Sequence, residues 1–322
     1  MSLSVSLILQ KSQRGQLLSR KDALTLLKIP EHSSEYNLLL SVANEYSRQT
    51  FSNHGMIFAQ IGLDMQPCHV NCKFCSLSQQ AQMGKASVVK SLADTVSQAK
   101  QLAASGIDDL FLMTTAEFDR EVFLDYLRAV RSVIPNEMRL VANTADFDLP
   151  YAQAMQRAGA TGAYHVCRLR EGIDTGVAEE RRMKTLDAIR EAGLVLYYCV
   201  EPIGPEHSAE ELADEMLRIR SYPVEVMAVM KRISVPGTPL FDRGEISSST
   251  LAKICAVTTL TTRPPRAMCV HEPDALCLTA GANQLYAECG VNPRDTENET
   301  ALHRGFSVAD ARQMLHEASW NT

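Results

Sequence analysis

The 322-residue sequence contains no long apolar run, no excess of positive charge and no low-complexity tract. A bilayer-spanning helix needs roughly 20 consecutive apolar residues. One of the longest apolar runs here, 193–200, has the length of a strand and holds two tyrosines. Lys and Arg total 32 against 38 Asp and Glu, and the net charge of −6 creates no basic field for nucleic-acid phosphates or anionic lipids. We therefore expect neither a membrane protein nor a nucleic-acid-binding protein.

The N-terminus also lacks the pattern of a secretion signal, because no basic segment and long apolar stretch precede a cleavage-like site. Nine cysteines without such a signal predict a reducing, cytoplasmic location. Clustered thiols in that environment more often bind metal or react than form disulfides. Hydrophobic residues make up 45% and charged residues 22% of the chain, which is the composition of a protein that folds around a sizeable core.

No G-x-G-x-x-G motif follows the first predicted strand and no Walker A motif occurs, which disfavours an open doubly wound sheet, the alternative α/β fold. From residue 56 onward, short β-rich runs alternate with longer amphipathic segments, as in parallel β/α units. About eight strands are predicted, the number that closes a (β/α)8 barrel. They are 56–62, 109–114, 139–143, 162–169, 194–200, 224–234, 266–270 and 283–286.

The predicted protein is therefore an α/β chain of three parts. A helical extension occupies residues 1–53, a (β/α)8 TIM-type barrel occupies 54–292, and a C-terminal loop and helix occupy 293–322. Within the extension, Ser19 and Asp22 have the spacing of a capping box at the start of a helix.

The sequence Cys68-His69-Val70-Asn71-Cys72-Lys73-Phe74-Cys75 directly follows the first predicted strand, at the end where barrels place their catalytic residues. Three closely spaced thiolates can hold three irons of a [4Fe–4S] cube and leave the fourth iron open to a small molecule. The alternative is a structural zinc site, which needs four tetrahedral ligands. The close fourth candidate, His69, is crowded between two cysteines, so the spacing favours an iron–sulfur cluster over zinc.

This C-x3-C-x2-C spacing, with the aromatic Phe74 before the last cysteine, resembles the signature of the radical S-adenosylmethionine (SAM) enzymes. The similarity extends from about Met56 to Asn292 and is greatest to the biotin synthase branch, which also includes hydrogenase maturases and methylornithine synthases. Stretches at 190–193, 235–240 and 280–283 are similar to biotin synthases in matching order. The resemblance implies that SAM chelates the open iron and is cleaved to a 5′-deoxyadenosyl radical.

The resemblance also implies where SAM is held. Thr114 and Thr115 end strand two, where related enzymes present small or polar groups to the SAM amine. Glu171 and Asp174 resemble residues that reach SAM in this branch, and either Arg181 or Arg182 could pair with its carboxylate. Phe74 completes the predicted cofactor-binding set. The alternative for the charged members is simple exposure at loop and helix starts.

Strand six is apolar apart from Lys231 and Arg232, and charges in such a strand are costly unless they are paired or face a ligand. Met230, Arg232 and Ser234 share one face by period-two alternation. We therefore predict that these three residues contact substrate, with Arg232 on a carboxylate. The alternative is that Lys231 and Arg232 mark an exposed strand end.

Three further cysteines, Cys167, Cys199 and Cys269, lie late in strands four, five and seven. Biotin synthases take sulfur from an auxiliary iron–sulfur cluster inside the barrel, with ligands from strands two, three and five and an arginine on strand seven. Strands two and three carry no cysteine here, so we predict a relocated auxiliary cluster on these three thiols. For any one of them, the alternative is a buried packing residue.

The resemblance thus predicts an enzyme, a radical SAM sulfurtransferase that inserts sulfur into dethiobiotin with a [4Fe–4S] cluster, SAM and an auxiliary iron–sulfur cluster. The alternative is a carbon-skeleton rearrangement like that of methylornithine synthase, or a hydrogenase-maturase-like reaction without sulfur insertion. A non-enzymatic metal sensor is disfavoured, because a whole barrel is excessive for sensing. An electron donor such as flavodoxin or ferredoxin is an expected partner, and the chain is compatible with a homodimer.

Overall fold

The computed structural model describes residues 3–84, 86–290 and 306–322. Eight parallel strands form a closed barrel in which each strand pairs with its neighbours in sequence and the last pairs with the first. The strands are β1 (Met56–Gly62), β2 (Asp109–Met113), β3 (Arg139–Asn143), β4 (Gly162–Tyr164), β5 (Val195–Ile203), β6 (Val224–Lys231), β7 (Ala267–His271) and β8 (Gln284–Gly290). This architecture confirms the predicted (β/α)8 barrel.

Helices precede the barrel, alternate with its strands and follow it. Those before β1 are α1 (Leu3–Gln13), α2 (Arg20–Leu27) and α3 (Ser34–Thr50). Those between strands are α4 (Leu92–Ala104), α5 (Arg120–Arg131), α6 (Leu149–Arg157), α7 (Glu179–Ala192), α8 (Ala209–Ile219), α9 (Ser248–Thr262) and α10 (Ala275–Leu278). The last helix is α11 (Val308–Glu317). The boundary predicted near residue 292 and the loop predicted after it fall outside the described residues.

The N-terminal helices pack on the outside of the barrel, where α3 contacts α9 and α2 contacts α8. Helix α2 begins with the predicted capping box, in which the Ser19 and Asp22 side chains each bond the other residue's backbone N–H. Arg20, the first residue of α2, donates to Asp214 of α8 at 2.8 Å. Across the described ranges, every helix is too short or too polar to cross a bilayer.

Aromatic rings fill the part of the barrel interior that lies toward the N-terminal ends of the strands. Four rings meet there with centroids between 5.1 and 6.0 Å apart, namely Phe58, Phe111, Tyr197 and Tyr286. The Tyr197 hydroxyl donates to the buried Asp109 carboxylate at 2.8 Å, and Arg266 pairs with the same carboxylate. The rings close this end of the barrel and leave the other end for a cavity.

Strands β4 and β6 end well before their predicted ends, and both differences move candidate site residues off the sheet. Strand β4 stops at Tyr164, because the Tyr198 hydroxyl accepts from the Cys167 N–H at 3.1 Å and donates to its carbonyl at 3.0 Å. Strand β6 stops at Lys231, and beyond it the Ser234 N–H donates to the Glu245 carboxylate at 2.8 Å. In both places a side chain takes the backbone groups that a longer strand would pair.

Candidate active site at the mouth of the barrel

A cavity of about 520 Å³ opens at the carboxyl ends of the strands. This volume lies within the ~300–1,000 Å³ typical of small-molecule sites. The loops after the strands line its walls, and Tyr286, one of the four interior rings, lines its base. The candidate site residues predicted from the sequence can therefore be described by their positions relative to this cavity.

The three clustered cysteines, Cys68, Cys72 and Cys75, all line this cavity on the loop after β1. None of the three forms a disulfide, and together with Phe74 they pack around Val70 and Val177. Burial raises the pKa of the Cys72 thiol to about 12, and a nearby arginine, Arg168, opposes this rise.

Backbone hydrogen bonds fix the cysteine loop to the segment after β4. The Gly176 N–H donates to the Val70 carbonyl and the Lys73 N–H donates to the Asp174 carbonyl, both at 2.8 Å. A Cβ on Gly176 would lie 2.5 Å from the Val70 oxygen, so this close approach requires glycine. The Asp174 carboxylate lies 3.3 Å from the Lys73 ammonium, so this predicted SAM contact instead supports the cysteine loop from behind.

The donor set of the loop fits a four-iron cluster. In the part of the chain that the structure describes, no three His, Cys, Asp or Glu side chains converge on one point as the ligands of a single metal ion must. A [4Fe–4S] cube takes one thiolate per iron, so its ligands stand apart around the cube. Three cysteine thiols on one loop meet that requirement, and they would leave one iron without a protein ligand.

Thr114 and Thr115 line the cavity just beyond the end of β2. Thr115 is buried, and its N–H and hydroxyl donate to Asp64 at 2.8 and 2.5 Å. The Thr114 hydroxyl donates to the Thr144 hydroxyl at 2.9 Å and is less buried. Of the two residues, Thr114 thus has the hydroxyl with remaining capacity to meet a ligand.

A buried ion-pair network contains the other predicted SAM contacts. Arg182 has a 6% exposed side chain that lies 3.1 Å from Glu171 and 3.0 Å from Asp146. His165 Nε2 lies 3.1 Å from the same Asp146 oxygen. Burial favours a raised pKa for Asp146, but His165 and Arg182 outweigh it and hold this pKa at about 2. Arg182 and the more exposed Arg181 line the cavity, whereas Glu171 is not among its lining residues.

The three residues predicted to contact substrate at the end of β6 do not all lie in the cavity wall. Met230 and Arg232 line the cavity, and Ser234 lies outside its lining. The shared face predicted for all three is wrong, because β6 ends before Arg232. The Arg232 guanidinium is buried, pairs with Glu206 and donates to the Gly244 carbonyl at 2.8 Å. Its charge is matched within the protein, which removes the reason for expecting a substrate carboxylate there.

The three strand cysteines are not gathered at one place. Cys199 and Cys269 lie in one row of the sheet, because both pair with Ala228 of β6, and they share the inward face. Cys167 is buried beside Arg218 of α8, and burial raises the pKa of its thiol to about 12. The early end of β4 carries Cys167 to the helix side of the sheet. The placement therefore departs from the predicted cluster, which needs all three thiols on one side.

Five residues that were not predicted as site residues form a polar floor beneath the cavity: Tyr164, Arg168, Glu201, His271 and Tyr286. The Tyr164 hydroxyl donates to Glu201 at 2.5 Å, and Arg168 Nε lies 3.3 Å from the other Glu201 oxygen. The His271 ring stacks on Tyr164 with centroids 5.7 Å apart and meets the edge of Tyr286 at 4.6 Å. Among the described residues, the buried His271 Nε2 has no hydrogen-bond partner.

A longer strand five would have revealed part of this polar floor. The predicted strand ends at Val200, whereas β5 runs to Ile203. Continuing the alternation from Cys199 places Glu201 on the same inward face, and a carboxylate inside a barrel signals a site. No sequence pattern indicates Arg168, because it lies after β4 in a segment that the sequence predicts to be strand.

Curated relatives match most of the chain. It is 25% identical over 299 residues to the biotin synthase of Halorhodospira halophila, which covers 88% of this chain and 89% of that protein. It is 25% identical over 274 residues to the biotin synthase of Delftia acidovorans, which covers 78% and 76% respectively. The chain is similar to the biotin synthase-like branch of the radical SAM superfamily. No family model matches it.

Solved structures share the fold of this chain over nearly its whole length. Methylornithine synthase (PylB) superimposes with a TM-score of 0.80 at 17% identity and covers 97% of this chain and 95% of its own. The hydrogenase maturase HydG of Carboxydothermus hydrogenoformans gives a TM-score of 0.79 at 18% identity, covering 98% and 78%. At these identities the likeness concerns the barrel and leaves the reaction open.

Proposed function

We propose that this radical SAM protein holds a [4Fe–4S] cluster on Cys68, Cys72 and Cys75 and binds SAM beside it to act on a small molecule in the cavity. The observation that carries the proposal is the placement of three cysteine thiols of one loop on the wall of the barrel cavity. With both groups bound, one electron from a flavodoxin- or ferredoxin-like donor breaks the sulfonium C5′–S bond to give methionine and a 5′-deoxyadenosyl radical.

The chain's own residues orient these groups and keep water away. Gly176 and Asp174 hold the cysteine loop, while Thr114 presents a hydroxyl to the cavity. Arg181 and Arg182 line the same wall, and an arginine fork suits the carboxylate of SAM. The interior rings seal the barrel below the cavity, so a reactive species formed there is shielded from solvent.

Replacing Cys68, Cys72 and Cys75 together by alanine tests the cluster assignment. We expect anaerobically reconstituted triple variant to lose about four irons per chain and all reductive cleavage of SAM, because three of the cluster's ligands are gone. Iron content and 5′-deoxyadenosine formation with dithionite are the measurements. Cys255→Ala is the matched control, since this buried thiol lies in α9 and should keep both. Cleavage retained by the triple variant would sink the proposal.

Two candidate reactions follow radical formation. Sulfur insertion into dethiobiotin is supported by the biotin synthase relatives and by two inward-facing thiols, Cys199 and Cys269. A rearrangement or similar reaction without a sulfur donor is favoured by the position of Cys167 on the helix side of the sheet. Two thiolates alone are a poor ligand set for a second cluster, which takes about four cysteines or their substitutes. Our proposal is therefore a reaction that uses one cluster.

Counting clusters separates these reactions. We expect iron and sulfide analysis with Mössbauer spectroscopy to find one four-iron cluster per chain. We also expect Cys167→Ala and Cys199→Ala to keep the iron content of the Cys255→Ala control, because none of these thiols then binds iron. A second cluster that is lost in Cys199→Ala would instead support sulfur insertion.

A further inference from the structure

The polar floor takes no part in holding the cysteine loop, yet it exposes three kinds of group that attract a cation. Glu201 accepts from Tyr164, pairs with Arg168 and interacts with the Cys199 thiol, and a carboxylate with about four acceptor sites retains capacity beyond these three partners. Burial lowers the pKa of His271, so its imidazole is neutral at pH 7 and can accept a hydrogen bond. The rings of Tyr164 and Tyr286 adjoin that imidazole, and ring faces attract cations.

Three carboxylates lie near His271. The carboxylates of Glu201, Glu288 and Glu272 act to raise the pKa of His271, against the larger effect of burial. The positive charge within the polar floor is that of Arg168, which lies against Glu201 and also near Cys72.

The other arginines of the cavity are engaged elsewhere. Arg120, Arg181 and Arg182 contact Asp146 after β3, and Arg232 pairs with Glu206. Within the polar floor, Glu201, His271 and the rings of Tyr164 and Tyr286 face the cavity together with Arg168.

We propose that the polar floor binds a protonated amine of the substrate, so that the substrate is a small alkylammonium compound. An ammonium has three donors, of which one can meet Glu201 and one can meet His271 Nε2, with the Tyr164 and Tyr286 rings alongside. A neutral cyclic urea such as that of dethiobiotin gains nothing from the rings. This inference rests on the proposed function and specifies the substrate of the same cavity.

Calorimetric titration of the reconstituted, SAM-loaded protein tests the head-group preference. The probes are n-hexylammonium chloride, 1-hexanol of matched length, and dethiobiotin. We expect n-hexylammonium to bind at least about tenfold more tightly than 1-hexanol or dethiobiotin, because only the ammonium satisfies a carboxylate and ring faces together. Comparable or tighter binding of hexanol or dethiobiotin overturns the inference, and so does the absence of measurable n-hexylammonium binding.

Variants test which residues cause the preference for the ammonium group. Glu201→Gln should reduce the ratio of hexanol to hexylammonium Kd to below about threefold, since it removes the charge and keeps the shape. Tyr286→Leu, which removes one ring face, should reduce the ratio severalfold and covers the case in which Glu201→Gln does not fold. Asp214→Asn on the exposed face of α8 is the control and should leave the ratio unchanged. An unchanged ratio in folded Glu201→Gln or Tyr286→Leu overturns the inference.

A separate readout distinguishes failure of this inference from failure of the proposed function. The same preparations are assayed for 5′-deoxyadenosine formed from SAM and dithionite without added substrate. Cleavage with no ammonium preference overturns the amine subsite alone. Absence of cleavage in an iron-loaded preparation counts against the radical chemistry, whatever the probes bind.

Discussion

Asp146, which follows β3, forms ion pairs with arginines that line the cavity. Its side chain is 6% exposed and lies 3.0 Å from Arg182 and 3.1 Å from His165. Removing one partner of a buried ion pair leaves the other uncompensated, at a cost of about 3–5 kcal/mol. Because Arg182 retains Glu171, we expect Asp146→Asn to lower the free energy of unfolding at pH 7 by about 3 kcal/mol, measured by urea denaturation.

Asp125→Asn is the matched control, since Asp125 pairs with Arg128 at 2.6 Å while both side chains are exposed. An exposed pair contributes only about 0–1 kcal/mol. If Asp146→Asn costs no more than Asp125→Asn, the buried network does not stabilise the fold.

The lowered pKa of Asp146 also fixes the sign of a pH dependence. A carboxyl group with a pKa of about 2 in the folded protein and about 3.9 in the unfolded chain stabilises the fold fully above roughly pH 5 and progressively less toward pH 2. We expect the wild-type protein to lose more stability than Asp146→Asn as the pH falls from about 5 to about 3. Equal losses would mean that Asp146 is not the titrating group.

The cysteine loop and the segment after β4 act together as one structural element. A Cβ on Gly176 would meet the Val70 carbonyl oxygen at 2.5 Å, and backbone cannot yield as a flexible side chain can. We expect Gly176→Ala to displace the loop and to at least halve both the iron bound after reconstitution and 5′-deoxyadenosine formation.

Gly237→Ala provides the contrast on the loop after β6. A Cβ there meets nothing within 4 Å, but its φ of +82° strains any other residue. This variant should lose about 1–2 kcal/mol of stability and keep its iron. Iron loss of the same size in both variants would show that general destabilisation, and not the loop contact, controls cluster binding.

The elements that could be predicted are those with a local pattern. Strand β1 and the thiols that follow it are read from consecutive residues, and the eightfold alternation of strands and helices repeats along the chain. The end of β4 could not be predicted, because it depends on the hydroxyl of Tyr198, a residue of the next strand. The ion pair between Glu201 and Arg168 could not be predicted either, because it joins residues that are far apart in the sequence.

Closure of the barrel places the C-terminal segment against the first and last strands. Helix α11 packs on β8 and β1, and Trp320 after it is 2% exposed, with its indole N–H donating to the Leu278 carbonyl at 3.1 Å. The Arg48 guanidinium lies 4.3 Å from the ring centroid on the other side.

We expect Trp320→Ala to reduce the free energy of unfolding by about 3–5 kcal/mol, because it empties a buried site at the seam of the barrel. Urea denaturation measures this loss, and Leu17→Ala at a 57% exposed side chain should change little. Iron content should remain that of the wild type, since the seam lies away from the cysteine loop. A loss below about 1 kcal/mol would contradict the role given to the indole ring.

The four packed rings close the N-terminal end of the barrel, so a molecule reaches the polar floor from the end where the cysteine loop lies. A substrate on the polar floor and SAM beside the cysteine loop therefore share this route to solvent. We expect the release of either product to depend on that shared route.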